Sequence, residues 1–217
     1  MPREFVLLQG TGCKWGGCTF CDYHKDISND PYEINREVLL EVTGEFGVLD
    51  VINSGSCVEL DDETVKLIAY IVKEKNIHTL WFEAHWMYRG KLKEFSNKFP
   101  NVNVKFRTGI ETFDGALRTM WAKGISEDVT VSDILKYFNG ICLLVGIEGQ
   151  SKECISNDIN IALNNFEYFS VNVFVPNLTD MNRDDEIIEW FLDEWTKKLN
   201  SSNKSELLIS NTDLGVG

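Results

Sequence analysis

The chain has 217 residues, and its 43 % hydrophobic and 25 % charged composition is typical of a soluble globular protein. Its 34 acidic residues outnumber 21 basic ones, which gives a formal net charge of −13. Because phosphate backbones are bound by Lys and Arg, this balance disfavours a nucleic acid partner and favours a small-molecule substrate. No run approaches the roughly 20 apolar residues that span a bilayer, so no membrane partner is expected. Without a secretory signal pattern, we expect a cytoplasmic protein, and the sequence leaves its oligomeric state open.

Strand-like and helix-like segments alternate along the whole chain. Amphipathic spacing predicts a first helix with Val38, Leu39, Val42 and Phe46 on one face, a second around Ile68 and a long one near the C-terminus. A further helix is expected within residues 123–138. Short runs rich in β-branched or aromatic residues predict six buried strands, at residues 5–9, 48–53, 79–84, 102–107, 141–146 and 171–175.

This alternation predicts an α/β fold with parallel strands and right-handed crossovers. Six such units would form a partial (βα)6 TIM-like barrel, and we expect a single domain over residues 1–217. In such folds, ligands bind at the C-terminal ends of the strands. The loops that follow the strands are therefore the places to look for functional residues.

The loop after the first predicted strand contains three of the six cysteines. It reads Gly10-Thr-Gly-Cys13-Lys-Trp-Gly-Gly-Cys18-Thr-Phe-Cys21-Asp-Tyr-His24. Three thiolates can hold three irons of a [4Fe–4S] cluster and leave the fourth iron open. The alternatives are a zinc site with His24 as fourth ligand, a disulfide, or an electron-transfer cluster with its fourth ligand elsewhere. The remaining cysteines lack metal-like spacing and are predicted to be buried apolar residues: Cys57, Cys142 and Cys154.

The loop resembles the cluster loop of the radical S-adenosylmethionine superfamily. That superfamily usually spaces its cysteines C-x3-C-x2-C with an aromatic residue before the third, and here Phe20 precedes Cys21 while the first spacing is one residue longer. The resemblance implies a [4Fe–4S] cluster on Cys13, Cys18 and Cys21, and S-adenosylmethionine as second cofactor. It also implies an external reductant such as flavodoxin or ferredoxin.

The same resemblance assigns S-adenosylmethionine contacts to the loops that follow the predicted strands. The superfamily commonly has Gly-Gly-Glu after the second strand, where this chain has Ser54, Gly55 and Ser56. After the fourth strand, Arg107 would pair with the methionine carboxylate, and a surface ion pair between Arg107 and Glu111 is the alternative. The remaining contacts would be Thr108 or Glu111 to the ribose, Gly146 and Ile147 to the adenine face, and Val175 to the adenine edge.

Polar and aromatic residues near these strand ends are the candidates for substrate chemistry. Glu83 and His85 have the same parity after the third strand and are expected to point the same way. His85 and Tyr23 are the candidate catalytic residues, although His85 is as readily explained as a satisfied polar residue. The candidate substrate-binding residues are Glu83, Glu148, Trp86, Asp22, Asn177 and Asp180.

Within the superfamily, the short chain and its Cys-Thr-Phe-Cys-Asp-Tyr-His segment resemble the queuine lyase family. That resemblance implies a lyase that cleaves the C–N bond of free queuine and releases 7-aminomethyl-7-deazaguanine. A guanine-like edge presents N–H donors, so carboxylates are expected to receive it. The alternatives are an enzyme of the 7-carboxy-7-deazaguanine synthase type or of other small-metabolite chemistry, a zinc-stabilised binding domain, and a simple electron carrier.

Overall fold

The computed structural model describes residues 1–210, which divide into two compact units. The first comprises Met1–Gly16 and Asp22–Arg107, and the second comprises Gly17–Cys21 and the chain from Thr108 onward. In both units parallel strands alternate with helices, so the predicted α/β class, a partial (βα) barrel with parallel strands, is confirmed. The single domain over residues 1–217 stays a prediction, and residues 211–217 lie outside the described part.

The first unit is a parallel sheet whose strands pair in chain order. The register joins Val6 to Val51, Val51 to Phe82 and Phe82 to Phe106. All four side chains are buried, as expected for strands covered on both faces. The elements of this unit are β1 (Glu4–Leu8), α1 (Pro31–Leu40), β2 (Val48–Asn53), α2 (Asp62–Glu74), β3 (Thr79–Glu83), α3 (Leu92–Ser96) and the first part of β4 (Asn103–Glu111).

The second unit repeats this pattern around a strand that is buried along its whole length, β5. Its register joins Leu143 to Val171 and Val171 to Leu207. The elements after β4 are α4 (Gly115–Met120), α5 (Val131–Leu135), β5 (Gly140–Val145), α6 (Lys152–Asn165), β6 (Tyr168–Val173), α7 (Asp185–Asn200) and β7 (Ser205–Leu208). None of the helices within residues 1–210 is long and apolar enough to cross a membrane.

The predicted elements are present, with three corrections. All six strands appear within a few residues of their expected bounds, but β4 continues to Glu111 and a seventh strand, Ser205–Leu208, was missed. Helix α1 ends at Leu40, so Val42 and Phe46 do not share its face. The chain turns there because both oxygens of the Glu4 carboxylate accept backbone N–H groups, one from Thr43 and one from Gly44. The extra helix expected within residues 123–138 is α5.

A buried carboxyl group on α6 makes the second unit sensitive to pH. Asp158 is 3 % exposed and accepts a hydrogen bond from the Phe113 amide at 2.9 Å. Burial raises its pKa to about 6. The unfolded chain releases this proton near pH 4, so the folded state binds it more tightly, and the free energy of unfolding falls between pH 4 and pH 6.

We expect Asp158→Asn to abolish this fall in the free energy of unfolding, because the Asn amide stays neutral and its oxygen still accepts the hydrogen bond from the Phe113 amide. Relative to the wild type, the free energy of unfolding of the variant should rise by about 3 kcal/mol between pH 4 and pH 7. Urea denaturation of both apoproteins at pH 4, 5, 6 and 7 measures this difference. A difference that is constant across the range would contradict the assignment.

Candidate active site

The loop after β1 places Cys13 in the first unit. Gly12 has φ of +86°, and a Cβ there would lie 2.6 Å from Ile27, so this turn requires glycine. The Lys14 amide donates to Glu59 Oε1 at 3.0 Å. The Trp15 ring, in the exposed spacer between Cys13 and Cys18, stacks on His85 with ring centres 5.2 Å apart. The spacer is therefore anchored to the loops that follow β2 and β3.

Cys18 and Cys21 belong to the second unit, on either side of the buried Phe20. The Phe20 ring packs edge-on against Trp121 at 5.9 Å, in a core cluster that also contains Ile147. The Thr19 amide donates to the Trp121 carbonyl at 3.1 Å. The aromatic residue before the third cysteine therefore holds this part of the loop in the core.

All six cysteines are free thiols. Cys57 and Cys142 are buried as predicted, whereas Cys154 is only half-buried, which corrects that expectation. Within residues 1–210, no three His, Cys, Asp or Glu side chains stand close enough together to hold a metal ion. The cluster assignment to Cys13, Cys18 and Cys21 and the zinc alternative with His24 therefore both rest on the spacing in the sequence.

The loop after β2 is tied to the cysteine loop rather than left open. Ser54 Oγ donates to the Asp26 carbonyl at 3.1 Å, and Ser56 Oγ accepts from the His85 amide at 3.0 Å. A Cβ on Gly55 would lie 2.4 Å from Glu59 Oε2 and 3.3 Å from Cys13 Cα. The glycine is needed because this carboxylate and the cysteine backbone approach it closely.

Sequence reasoning missed Glu59, a carboxylate that is 6 % exposed in the loop after β2. It accepts hydrogen bonds from the Ser56 amide at 2.7 Å and the Tyr88 hydroxyl at 2.8 Å, besides that from Lys14. The signal was present as Ser56-x-x-Glu59, a capping-box pattern that opens a short 3-10 helix. In this chain the glutamate lies four residues after Gly55, whereas the superfamily commonly has one directly after the glycine.

Arg107 lies inside β4 and is buried, not at a strand end on the surface. Its guanidinium makes two hydrogen bonds of 2.8 Å to the Asp50 carboxylate and approaches Glu83 at 3.4 Å. The alternative of a surface ion pair with Glu111 is therefore wrong. The planar guanidinium of Arg107 already binds a carboxylate of the protein. This geometry does not support the predicted pairing of Arg107 with the methionine carboxylate of S-adenosylmethionine.

The end of β4 carries a buried ion pair. Glu111 has φ of +66°, in the left-handed region, and accepts a hydrogen bond from Lys123 Nζ at 2.7 Å. The same ammonium group lies 5.6 Å from the centre of the Phe20 ring. Thr108 is fully buried, and its Oγ1 has no hydrogen-bond partner among the described residues. Strained backbone and unpaired polar atoms of this kind are concentrated at functional sites.

The turn after β5 is held by a second residue that sequence reasoning missed. Gln150 Oε1 accepts from the Gly146 amide at 2.8 Å and from the Ile147 amide at 3.1 Å, and its Nε2 donates to the Leu144 carbonyl at 2.8 Å. Ile147 is fully buried in the core cluster with Phe20. This glutamine fixes the turn in which the adenine contacts were predicted, and a lone glutamine carries no distinctive spacing.

Gly146 permits a test of this turn. Its φ is +96°, and a Cβ would lie 2.4 Å from two side-chain atoms of Ile188 on α7. We expect Gly146→Ala to lower the free energy of unfolding by about 1–3 kcal/mol, because both the backbone and the contact become strained. Gly90→Ala is the control, since a Cβ there meets nothing within 4 Å. Equal unfolding midpoints for the two variants in urea would contradict the expectation.

Residues 176–178, shortly after β6, are exposed. Asn177 Nδ2 donates to the Phe20 carbonyl at 2.7 Å, and its Oδ1 accepts from the Thr179 amide at 3.0 Å. Val175 is half-buried. Asn177 thus holds the backbone between Cys18 and Cys21, a role that its predicted place in substrate binding did not include.

Two candidate carboxylates of this unit, Glu148 and Asp180, are exposed. Glu148 accepts a hydrogen bond from Asn182 Nδ2 at 2.7 Å, and its amide donates to the Asn182 carbonyl at 3.0 Å. Glu148 is therefore oriented by a neighbouring segment while it stays accessible to solvent.

Glu83 and His85 do not lie on one strand, because β3 ends at Glu83. His85 instead caps the 3-10 helix that follows, and its Nδ1 accepts from the Met87 amide at 3.3 Å. Its ring stacks on Trp15, and Glu83 is engaged with Arg107. Both residues remain half-buried in the first unit.

The other candidates of the first unit differ in exposure. Trp86 is 7 % exposed and packs under the Arg89 guanidinium, which lies 4.6 Å from its ring centre. Tyr23 is 56 % exposed in a short 3-10 helix that follows Asp22. Tyr23 is therefore the more accessible aromatic residue for stacking on a planar base.

Several features of the described residues fit an iron–sulfur cluster and a polar cofactor. Free thiols after β1 are the donor type that iron–sulfur clusters require. Within residues 1–210, buried polar atoms without a partner include Asn53 Oδ1 at the end of β2, Thr108 Oγ1 on β4 and Asn172 Oδ1 on β6. Such atoms near strand C-termini suit a ligand rich in polar groups.

Comparison with known proteins identifies the family. No model of a protein family matches the chain, and no curated protein does. Two solved structures at 18 % identity show the fold alone. Methylornithine synthase (PylB) has a TM-score of 0.57 and covers 82 % of this chain and 54 % of its own. Streptococcus suis SuiB bound to S-adenosylmethionine has a TM-score of 0.56 and covers 99 % of this chain and 48 % of its own.

The parallel fold with a three-cysteine loop after its first strand is that of the radical S-adenosylmethionine superfamily. A further solved structure is "queuine lyase from Clostridium spiroforme bound to SAM and queuine", 42 % identical, with a TM-score of 0.93 over 99 % of this chain and 94 % of that chain. The chain belongs to the queuine lyase family of this superfamily.

Proposed function

We propose that the chain is a queuine lyase that cleaves the C–N bond of free queuine and releases 7-aminomethyl-7-deazaguanine. The observation that carries the proposal is the 42 % identity over nearly the whole length of an enzyme bound to S-adenosylmethionine and queuine. A [4Fe–4S] cluster held by Cys13, Cys18 and Cys21, together with S-adenosylmethionine, would supply the radical chemistry that this bond cleavage requires.

In this proposal Cys13, Cys18 and Cys21 are the cluster ligands. Gly12 turns the backbone beside the first cysteine, and Phe20 anchors the segment between the other two in the core. Three thiolates would hold the cluster and leave one iron open to a further ligand.

The S-adenosylmethionine contacts are assigned to polar groups at the strand ends. Support comes from the unpaired oxygens of Asn53 and Thr108 and from the buried Glu111–Lys123 pair. Ser54, Gly55 and Ser56 would contribute backbone groups, since both of their hydroxyls are engaged within the first unit.

For the substrate, we assign the deazaguanine edge to Glu148. It is exposed, and the hydrogen bond from Asn182 orients its carboxylate to accept N–H donors. Asp180 is the second candidate carboxylate, and Tyr23 is the candidate for stacking on the base.

The proposal includes an external reductant, such as flavodoxin or ferredoxin, and a cytoplasmic location. The six free thiols suit a reducing compartment. The net charge of −13 supports a free base rather than intact RNA as substrate.

Anaerobically reconstituted protein tests the function directly. Incubation with dithionite, S-adenosylmethionine and queuine should form 7-aminomethyl-7-deazaguanine, detected by mass spectrometry, together with 5′-deoxyadenosine. Cys18→Ala should form neither. Formation of 5′-deoxyadenosine without any change in queuine would contradict the lyase and favour another radical enzyme of deazapurine metabolism.

A further inference from the structure

Glu59 joins three segments of the first unit around the first cysteine. Its Oε1 accepts from the Lys14 amide at 3.0 Å and from the Tyr88 hydroxyl at 2.8 Å, and its Oε2 accepts from the Ser56 amide at 2.7 Å. The side chain is 6 % exposed. A buried carboxylate that accepts three hydrogen bonds is held in one position. One of the three donors is the amide of Lys14, the residue directly after Cys13.

The carboxylate is also in close contact with the cysteine loop. A Cβ on Gly55 would meet Glu59 Oε2 at 2.4 Å, the Gly12 carbonyl at 3.1 Å and Cys13 Cα at 3.3 Å. The Tyr88 pKa is raised by burial, by its hydrogen bond to Glu59 and by the negative charges of Glu59 and Cys13. Glu59 is therefore bonded directly to Tyr88 and is joined to the first cysteine through the Lys14 amide.

We propose that Glu59 is a positioning residue of the cluster loop and that its charge lowers the reduction potential of the cluster. The inference rests on the proposed function, because it requires Cys13 to be a cluster ligand. Hydrogen bonds and net charge around an iron–sulfur cluster set its reduction potential. A negative charge fixed beside one ligand disfavours addition of an electron, so the reduced cluster becomes a stronger reductant.

The reduction potential separates this role from a merely structural one. Each protein is reconstituted anaerobically without substrate, and its midpoint potential is measured by redox titration followed by electron paramagnetic resonance. Glu59→Gln removes the charge at constant shape, so its potential should shift upward. Tyr88→Phe removes a donor and leaves the carboxylate less neutralised, so its potential should shift downward. Glu74→Gln, which alters an exposed carboxylate at the end of α2, should leave the potential unchanged.

Iron retention tests the positioning role. Glu59→Ala removes the acceptor of the Lys14 amide, and a lost charge-assisted hydrogen bond corresponds to a roughly ten- to hundred-fold weaker interaction. We expect iron to pass to a chelator at least about ten-fold faster from Glu59→Ala than from the wild type or from Glu74→Gln.

The outcomes distinguish this inference from the proposed function. If the wild type takes up no cluster, the proposed function itself fails. If the wild type takes up a cluster and Glu59→Gln matches Glu74→Gln in potential, the role of Glu59 is overturned and the function stands. If Glu59→Gln does not fold, Tyr88→Phe decides, and an upward or absent shift overturns the inference.

Discussion

Single replacement of Cys13, Cys18 or Cys21 by Ala is expected to reduce bound iron to background after anaerobic reconstitution. Three thiolates are the minimum that holds a [4Fe–4S] cluster with one open iron, so no single ligand is dispensable. S-adenosylmethionine cleavage should be lost with the cluster. The fold should persist, because Cys13, Cys18 and Cys21 are only half-buried, and removal of a sulfur from such positions leaves little cavity.

Cys57→Ala is the matched control, since this thiol is fully buried, and burial raises its pKa far above the ordinary range. A thiol that resists ionisation is a poor iron ligand, so the variant should keep its iron and lose only packing energy. Iron content by colorimetric assay and folding by circular dichroism measure both effects. Normal iron in a variant of the loop, or iron loss in Cys57→Ala, would show that the ligand set is wrong.

The fold was largely predictable because its determinants are local. The bounds of β2 were predicted correctly, since only Asp50 interrupts its apolar run and a polar turn ends it at Asn53. The seventh strand was not, because Ser205–Leu208 has only two apolar residues and follows a polar segment. It is a strand through its pairing with β6, an interaction that no local pattern expresses.

The candidate site was less predictable, because its geometry depends on which distant residues meet. The three cysteines and the adjacent Phe20 are contiguous and could be recognised. Arg107, by contrast, meets Asp50 from a position 57 residues earlier in the chain. Nothing near either residue indicates that pairing. Glu59 and Gln150 were missed for a different reason: each binds backbone groups of a nearby turn, and only Glu59 has a local signal, the capping-box pattern with Ser56.

The Arg107 pairing leads to the second large expected effect. Asp50 is fully buried and accepts hydrogen bonds from Arg107 and, at 2.8 Å, from Arg3 Nε. Removal of Arg107 leaves Arg3 as the cation beside Asp50 but breaks a buried ion pair with two hydrogen bonds, and breaking a buried pair typically costs about 3–5 kcal/mol. We therefore expect Arg107→Ala to lower the free energy of unfolding by about that amount. Arg107→Lys should recover only part of the lost stability, because an ammonium group cannot replace the bidentate contact.

A double-mutant cycle with Asp50→Asn measures the coupling between the two residues. If the pair is the main role of Arg107, the double variant should be more stable than the sum of the single effects predicts, by about 1.5–3 kcal/mol in urea denaturation. The affinity of the folded Arg107→Ala for S-adenosylmethionine should then be unchanged. The sequence-based hypothesis makes the opposite prediction, an affinity roughly ten- to hundred-fold weaker at nearly unchanged stability. That result in equilibrium binding would return Arg107 to the cofactor site and show that the Asp50 contact contributes little to folding.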